Sequence, residues 1–383
     1  MDGVKEFIIR KVQPQDMAQL KTFFIKAYGE DTIFQSKPFL EWYFNSDLES
    51  FTFMKNCIIG VCSNGEIISH YGGLDYTLTV GDQNISLVWG VNAFTLPEWR
   101  GKGVNSEIVT YINVNNDVNG VIGFTEDTSK FYKSIGYNLL DFERFSRYIY
   151  IIDGSKTIEV SKSIGQDLEK FAKFNLDNKV LKESTNNYEI IKLDKNNIDD
   201  FDIDFEVNVS ATTRRDKKFI NWRLLQNPFI DYHVYGVLYN KTIIAYVAYR
   251  EEILYPLKYN VNRIIDLFGC PQAIDYLLDF VIKKSIEEEY IYIDFSMFGS
   301  LYNKTLVSHN FQMFEGEELG ILPQVTAPVG YRPNHEYVCL NSKKYKANIN
   351  ILKKEDVYFT RIDSDRDRLA RYSQIKTGVK NNE

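Results

Sequence analysis

Residues 97–109 read PEWRGKGVNSEIV. The run Arg100-Gly101-Lys102-Gly103-Val104-Asn105 follows a β-prone segment and leads into a helix expected from about Gly103 to Asn116. A strand that enters a glycine-containing turn and then a helix leaves backbone N–H groups unpaired at the positive end of the helix dipole. Such a turn attracts phosphate, and small residues let a diphosphate approach the amides.

Two phosphate loops are excluded by spacing. The nucleoside triphosphate loop needs G-x-x-x-x-G-K-[ST], and no lysine in this stretch has Ser or Thr after it in that register. A dinucleotide fingerprint would run Gly101, Gly103, Ser106, which lacks the third glycine, and the preceding strand ends a meander rather than opening a βαβ unit.

The surrounding pattern is consistent over residues 5–150. A strand is expected at 7–12 and a helix from Gln15 to Tyr28, with Asp16 in the first turn and Met17, Leu20, Phe23 and Phe24 at helical spacing. Ser36 caps a second helix that has Pro38 in its first turn. Residues 53–96 hold three β-prone runs punctuated by Asn64-Gly65 and Gly81-Asp82, two hairpin signals that predict an antiparallel meander. After the loop and its helix come a strand at Gly120–Thr125, a short helix at 127–135 and a strand run at 138–151.

Pro97-Glu98-Trp99-Arg100-Gly101-Lys102-Gly103-Val104 resembles the pyrophosphate loop of the GNAT superfamily of acyl-CoA-dependent N-acyltransferases, and "KFYKSIGY" at 130–137 resembles the family's F-Y-x-x-x-G-[F/Y] turn. Asn105 stands where the last Gly or Ala is usual, and Thr125 where Asn is frequent. Asparagine tolerates strained backbone better than most residues and can donate to a phosphate, so a slightly reshaped cradle is expected, with weaker coenzyme A binding as the alternative.

The resemblance implies a fold and a site. The fold is α/β (α+β), a mixed, largely antiparallel sheet flanked by helices. Acetyl-CoA is the implied co-substrate, and no metal is implied. The pantetheine arm falls to Ala93, Phe94 and Thr95, and the diphosphate to amides of Arg100, Gly101, Lys102, Gly103, Val104 and Asn105, with Ser106 in the first helical turn. Tyr132 takes the proton-donor position, where a phenol protonates the leaving sulfur. For the base, Glu126 is the first candidate, beside Asp127, His70, Asp75 or an ordered water.

The first half has an echo. "EIIKLDKNNIDDF" at 189–201 matches "FIIRKVQPQDMAQL" at 7–20, and "KKFINWRLLQNP" at 217–228 places Phe219 over Phe39 and Trp222 over Trp42. "NKTIIAYVAYR" at 240–250 answers "NGEIISHYGGLD" at 64–75, and "LVSHNFQMF" at 306–314 answers "YKSIGYNLL" at 132–140. Four matches in one order predict two tandem GNAT-like domains: 1–152, catalytic; 153–187, a linker with one helix near Leu168, Phe171 and Phe174; 188–320, degenerate; and 321–383, a C-terminal extension. The degenerate copy has a single glycine, Gly269, followed by Pro271 where the loop should fall, and Leu306 opposite Tyr132. "DSDRDRLARYSQIK" at 363–376 is expected as a mixed-charge helix, a solvated tail or docking element.

Bulk properties narrow the classes. At 383 residues, two domains of ordinary size are the first expectation. A net charge of −7 provides no basic footprint for nucleic acid. The N-terminus lacks a signal-peptide core, and no segment is apolar enough for a membrane span. Cys57, Cys62, Cys270 and Cys339 form no C-x-x-C pair, as expected of reduced thiols in a cytoplasmic protein. The four histidines are too scattered for a zinc set, and no G-x-S-x-G elbow exists. The expectation is an N-acetyltransferase acting on the primary amine of a small molecule, an amino-sugar or sugar nucleotide being favoured by the aromatic content. A peptide or amino-acid N-acyltransferase is the alternative, since the doubled plan also resembles Fem-type aminoacyl transferases and mycothiol synthase. A non-catalytic binding or scaffold protein stays open, as does a homodimer.

Overall fold

The fold comes from a computed structural model that describes residues 6–45, 54–170, 188–324, 336–371 and 373. The chain gathers into two compact units, 1–142 with 337–352 and 369–383, and 143–336 with 353–368.

The first unit is built on strands β1 (Phe7–Lys11), β2 (Ile58–Cys62), β3 (Ile67–Val80), β4 (Gln83–Thr95) and β5 (Val118–Phe124). Its helices are α1 (Met17–Tyr28), α2 (Lys37–Tyr43), α3 (Val104–Asn115) and α4 (Glu126–Ser134). Strands β1 to β4 pair antiparallel in chain order, and the turns between β2, β3 and β4 place Gly65 (φ 86°) and Gly81 (φ 55°) in the left-handed region, which glycine enters without strain. β5 runs parallel to β4, as the intervening α3 requires. A strand from far down the chain, β15 (Tyr337–Asn341), covers the other edge of β5 antiparallel. The core between α3, α4 and the sheet joins Phe7, Ile58, Tyr71, Ile108, Val121, Phe124, Tyr132 and Tyr137 with Tyr337 and Cys339 of β15.

Two irregularities shape this sheet. β4 bulges at Asn92 (φ 50°), where its register on β3 jumps from Phe94 opposite His70 to Val91 opposite Gly72. β4 and β5 pair only from Leu87–Val118 to Gly90–Val121. Beyond Gly90 the two strands part as a fork, and among the described residues no strand pairs with the edge of Val91–Thr95 that β3 leaves free.

The second unit holds β6 (Ser146–Ile151), α5 (Gly154–Ser163), β7 (Glu189–Leu193), β8 (Asp202–Ile203), β9 (Ala211–Thr213), α6 (Lys217–Ile220), β10 (His233–Tyr239), β11 (Thr242–Leu254) and β12 (Tyr259–Gly269). α7 (Pro271–Glu287), β13 (Tyr292–Gly299), α8 (Asn303–Ser308), β14 (Gln312–Phe314) and β16 (Val357–Thr360) complete it. β7, β10, β11 and β12 pair antiparallel in that order, and β13 runs parallel to β12. This is the order and sense of β1 to β5. β13 also pairs antiparallel with β6 on its other edge, and β6 carries β14.

Some expectations are redrawn. Asp16 belongs to a short 3-10 turn ahead of α1, where its carboxylate accepts from Arg10 (2.6 Å) and from the Gln13 amide (2.8 Å). The helix of the polar stretch is α5, capped by Asp153, with only a 3-10 turn at Leu168–Lys170; Phe171 and Phe174 lie outside the described residues. The residues expected as a C-terminal extension supply β15 and β16. Residues 363–368 are neither helical nor solvated: Asp363 and Asp367 are fully buried on Arg215 (2.7 Å) and Arg250 (2.9 Å). Buried guanidinium partners draw these carboxylates in, a pairing that local charge pattern does not reveal. No helix among the described residues is long and apolar enough to cross a membrane.

Candidate functional site

The fork opens toward the loop that decided the sequence reading. After β4 a 3-10 turn at Pro97–Trp99 leads to Gly101 (φ 76°) and Gly103 (φ 81°), both left-handed. A Cβ on either would meet nothing within 4 Å, so the backbone conformation, rather than space, asks for glycine here. The first bond of α3 runs from the Glu107 N–H to the Gly103 carbonyl (3.0 Å). Among the described residues no acceptor meets the amides of Gly101, Lys102, Gly103, Val104, Asn105 or Ser106. Six uncommitted donors at the positive end of a three-turn helix form an anion cradle.

Asn105 differs from its expected part. It is the second residue of α3, with ordinary helical φ, so the missing glycine strains nothing. The flanking cations lie against aromatic rings. Arg100 packs 5.3 Å from the Phe94 ring and donates from Nε to the Thr95 carbonyl (3.1 Å). Lys102 sits 4.4 Å from the Trp99 ring and 3.8 Å from Glu6. Along the fork's free edge, Ala93 is exposed and Phe94 and Thr95 are half-buried.

Across the fork stands α4, whose N-terminus is capped by Thr125 through the Thr128 amide (3.4 Å). Thr125 therefore has a local role that its residue type explains. Tyr132 is buried on this helix among Phe124 (ring centroids 5.2 Å), Phe131 (5.3 Å) and Tyr137 (5.2 Å). Burial pushes its phenol well above the ordinary value, so the hydroxyl keeps its proton at neutral pH.

No family model and no curated protein sequence matches the chain. Solved structures do. A probable N-acyltransferase from Enterococcus faecalis V583 superposes with TM-score 0.53 at 12% identity, covering 88% of this chain and 72% of the other. A GCN5-related N-acetyltransferase from Kribbella flavida gives TM-score 0.53 at 10% identity over the same shares. Saccharomyces cerevisiae N-myristoyltransferase with bound myristoyl-CoA gives TM-score 0.50 at 12% identity, covering 93% of this chain and 86% of the other. The chain has the GNAT fold.

Within this GNAT fold the base candidates do not gather around Tyr132. Glu126 and Asp127 are exposed in the first turn of α4. At 3.6 residues per turn the six-residue step from Glu126 to Tyr132 points the two side chains roughly a third of a turn apart. His70 is buried on β3 against Phe23 and Phe24, and burial lowers its pKa to about 4, leaving it neutral and weakly basic. Its Nδ1 faces the Asn92 carbonyl (3.3 Å), while Nε2 has no partner among the described residues. Asp75 accepts from Asn56, lies 3.8 Å from Lys55, and is shifted upward by burial.

Two residues of the site escaped the sequence reading. Asn92 makes the bulge and donates to the Tyr43 hydroxyl (2.7 Å); the signal was a polar residue inside the apolar run WGVNAF. Tyr71 lies with its hydroxyl against Gly90, the last residue of β4 paired with β5, a packing role with no sequence signal among 26 tyrosines.

The second unit's counterpart differs at both points. Gly269 (φ 135°) is pressed onto β11, and its N–H and C=O are both taken by the Tyr302 hydroxyl (3.0 and 2.7 Å) before Pro271 starts α7. β12 and β13 pair only over Asn262–Ile264 and Ile293–Phe295, after which β16 pairs with Met297–Gly299 of β13. Among the described residues, no three His, Cys, Asp or Glu side chains form a metal-ligand group in either unit.

Proposed function

We propose that the first unit transfers an acyl group, acetyl being the favoured one, from a coenzyme A thioester to a primary amine. The observation that carries this reading is the set of uncommitted amides from Gly101 to Ser106, placed where the unpaired edge of β4 ends. Diphosphate suits those donors, and the free edge at Ala93, Phe94 and Thr95 suits the amide groups of a pantetheine arm. The thioester supplies an activated carbonyl carbon and a thiolate leaving group. The Tyr132 O–H is the proton source for the departing sulfur, its burial keeping it protonated. Glu126 is exposed about a third of a turn from the buried Tyr132 and His70 is too weakly basic, which favours an ordered water as acceptor of the amine proton.

The identical strand order and sense of the two units support a tandem duplication. In this reading the second unit lacks transfer activity and shapes or stabilises the first. The acceptor class we favour is an amino-sugar or sugar nucleotide, for which the 52 Phe and Tyr residues offer stacking faces, in a cytoplasmic setting. The test is thermal: acetyl-CoA raises the melting temperature of the full chain, and Gly103→Glu, which places a carboxylate in the cradle and strains a left-handed position, loses at least 100-fold in affinity. No response of the wild-type chain to acetyl-CoA or coenzyme A overturns the transferase and favours a scaffold.

A further inference from the structure

We propose that Tyr71 closes the inner end of the β4–β5 fork and so restricts the transferred acyl group to a few carbons; this rests on the acyl-transfer reading above. The last paired residues before the fork opens are Gly90 and Val121. Gly90 has no side chain, and a Cβ built on it would fall inside the Tyr71 hydroxyl. The phenol thus takes the volume that a residue at 90 would otherwise fill. Tyr71 is 1% exposed and packs in one cluster with Val104, Ile108, Val121, Tyr132 and Tyr137, so the ring has nowhere to swing.

The same device closes the paired end on Gly120. Gly120 pairs with Trp89, and a Cβ on Gly120 would fall on the indole of that fully buried residue. Two large rings, each seated on a glycine of a different strand, therefore seal the point where β4 and β5 converge. A linear chain running from the loop end toward that point meets the Tyr71 ring. The plug is a single side chain, and an apolar cavity left by truncating a large buried residue accepts hydrocarbon.

The experiment measures dissociation constants of coenzyme A, acetyl-CoA, butyryl-CoA and octanoyl-CoA for the full chain and for Tyr71→Ala, Tyr71→Leu and Tyr71→Phe. Circular dichroism identifies the variants that fold, and the leucine variant keeps an apolar core if alanine does not. The wild-type chain should bind acetyl-CoA at least tenfold more tightly than octanoyl-CoA. The alanine or leucine variant should gain at least tenfold for octanoyl-CoA, with coenzyme A affinity within twofold, and the phenylalanine variant should match the wild type. Equal binding of acetyl- and octanoyl-CoA by the wild type, or an unchanged ratio in a folded alanine or leucine variant, overturns the proposal while leaving acyl transfer standing. Failure of the wild type to bind any of the four ligands removes the acyl-transfer reading and this one with it.

Discussion

In the first unit β4 and β5 part after Gly90 and Val121, and the edge of Val91–Thr95 is left without a strand among the described residues, while the amides beyond it stay uncommitted. In the second unit β16 pairs with β13 past the last residues that β12 reaches, tied to β12 by Thr360 on Asp266 (2.8 Å) and by Tyr358 on the Leu267 carbonyl. There the turn before α7 spends its amide on Tyr302. One strand plan thus has two outcomes, and what separates them is whether the chain satisfies its own backbone at the fork. A backbone edge that the protein leaves unpaired is available to a ligand; one already paired is not.

The contrast can be broken first at Asp266, which accepts from Arg215 (3.1 Å), Thr360 and Tyr246 in the second unit. Asp266→Ala leaves Arg215 short of a buried partner and should cost about 3–5 kcal/mol in urea unfolding. The acetyl-CoA response should persist in the folded variant. A loss below about 1 kcal/mol would mean that β16 is held without this anchor.

His70 sharpens the contrast in the first unit, because its match in the second, Tyr246, bonds Asp266 whereas the His70 Nε2 is unpartnered among the described residues. The unfolded chain binds a proton near pH 6.5, but the folded chain resists until about 4. The stability that neutral His70 contributes is whole above the unfolded pKa and is lost as pH falls toward 4, in total about 3 kcal/mol. Urea midpoints at pH 7, 5.5 and 4.5 should show this slope in the wild type and not in His70→Gln. Equal slopes would refute it.

The third comparison sets Tyr132 against Leu306, its buried match in the second unit. Tyr132→Phe should lower turnover about 100-fold while acetyl-CoA affinity stays within a few-fold. Unchanged turnover would take the phenol out of the mechanism.

Local chemistry made much of the first unit legible. Glycines at 65, 81, 101 and 103 each announced a turn that the structure puts in the left-handed region, and Ser36 announced a cap that accepts from the Phe39 amide (3.3 Å). What the sequence hid was non-local. Nothing in Tyr337–Asn341 marks β5 as its partner, since pairing across some 215 residues leaves no period to read. The run DSDRDR looked solvated because its guanidinium partners, Arg215 and Arg250, lie more than 110 residues away. The reshaped cradle expected from Asn105 came from taking a motif position for a strained conformation, whereas the helix begins one residue earlier.

The late arrival of β15 carries a consequence for anyone dividing this molecule. A fragment ending at residue 152 keeps the cradle but bares a whole side of β5, five rungs of main-chain donors and acceptors. It also removes Tyr337 and Cys339 from the wall behind Tyr132. Such a piece invites strand-to-strand stacking between copies, so the smallest sound body that holds the cradle is discontinuous along the gene product.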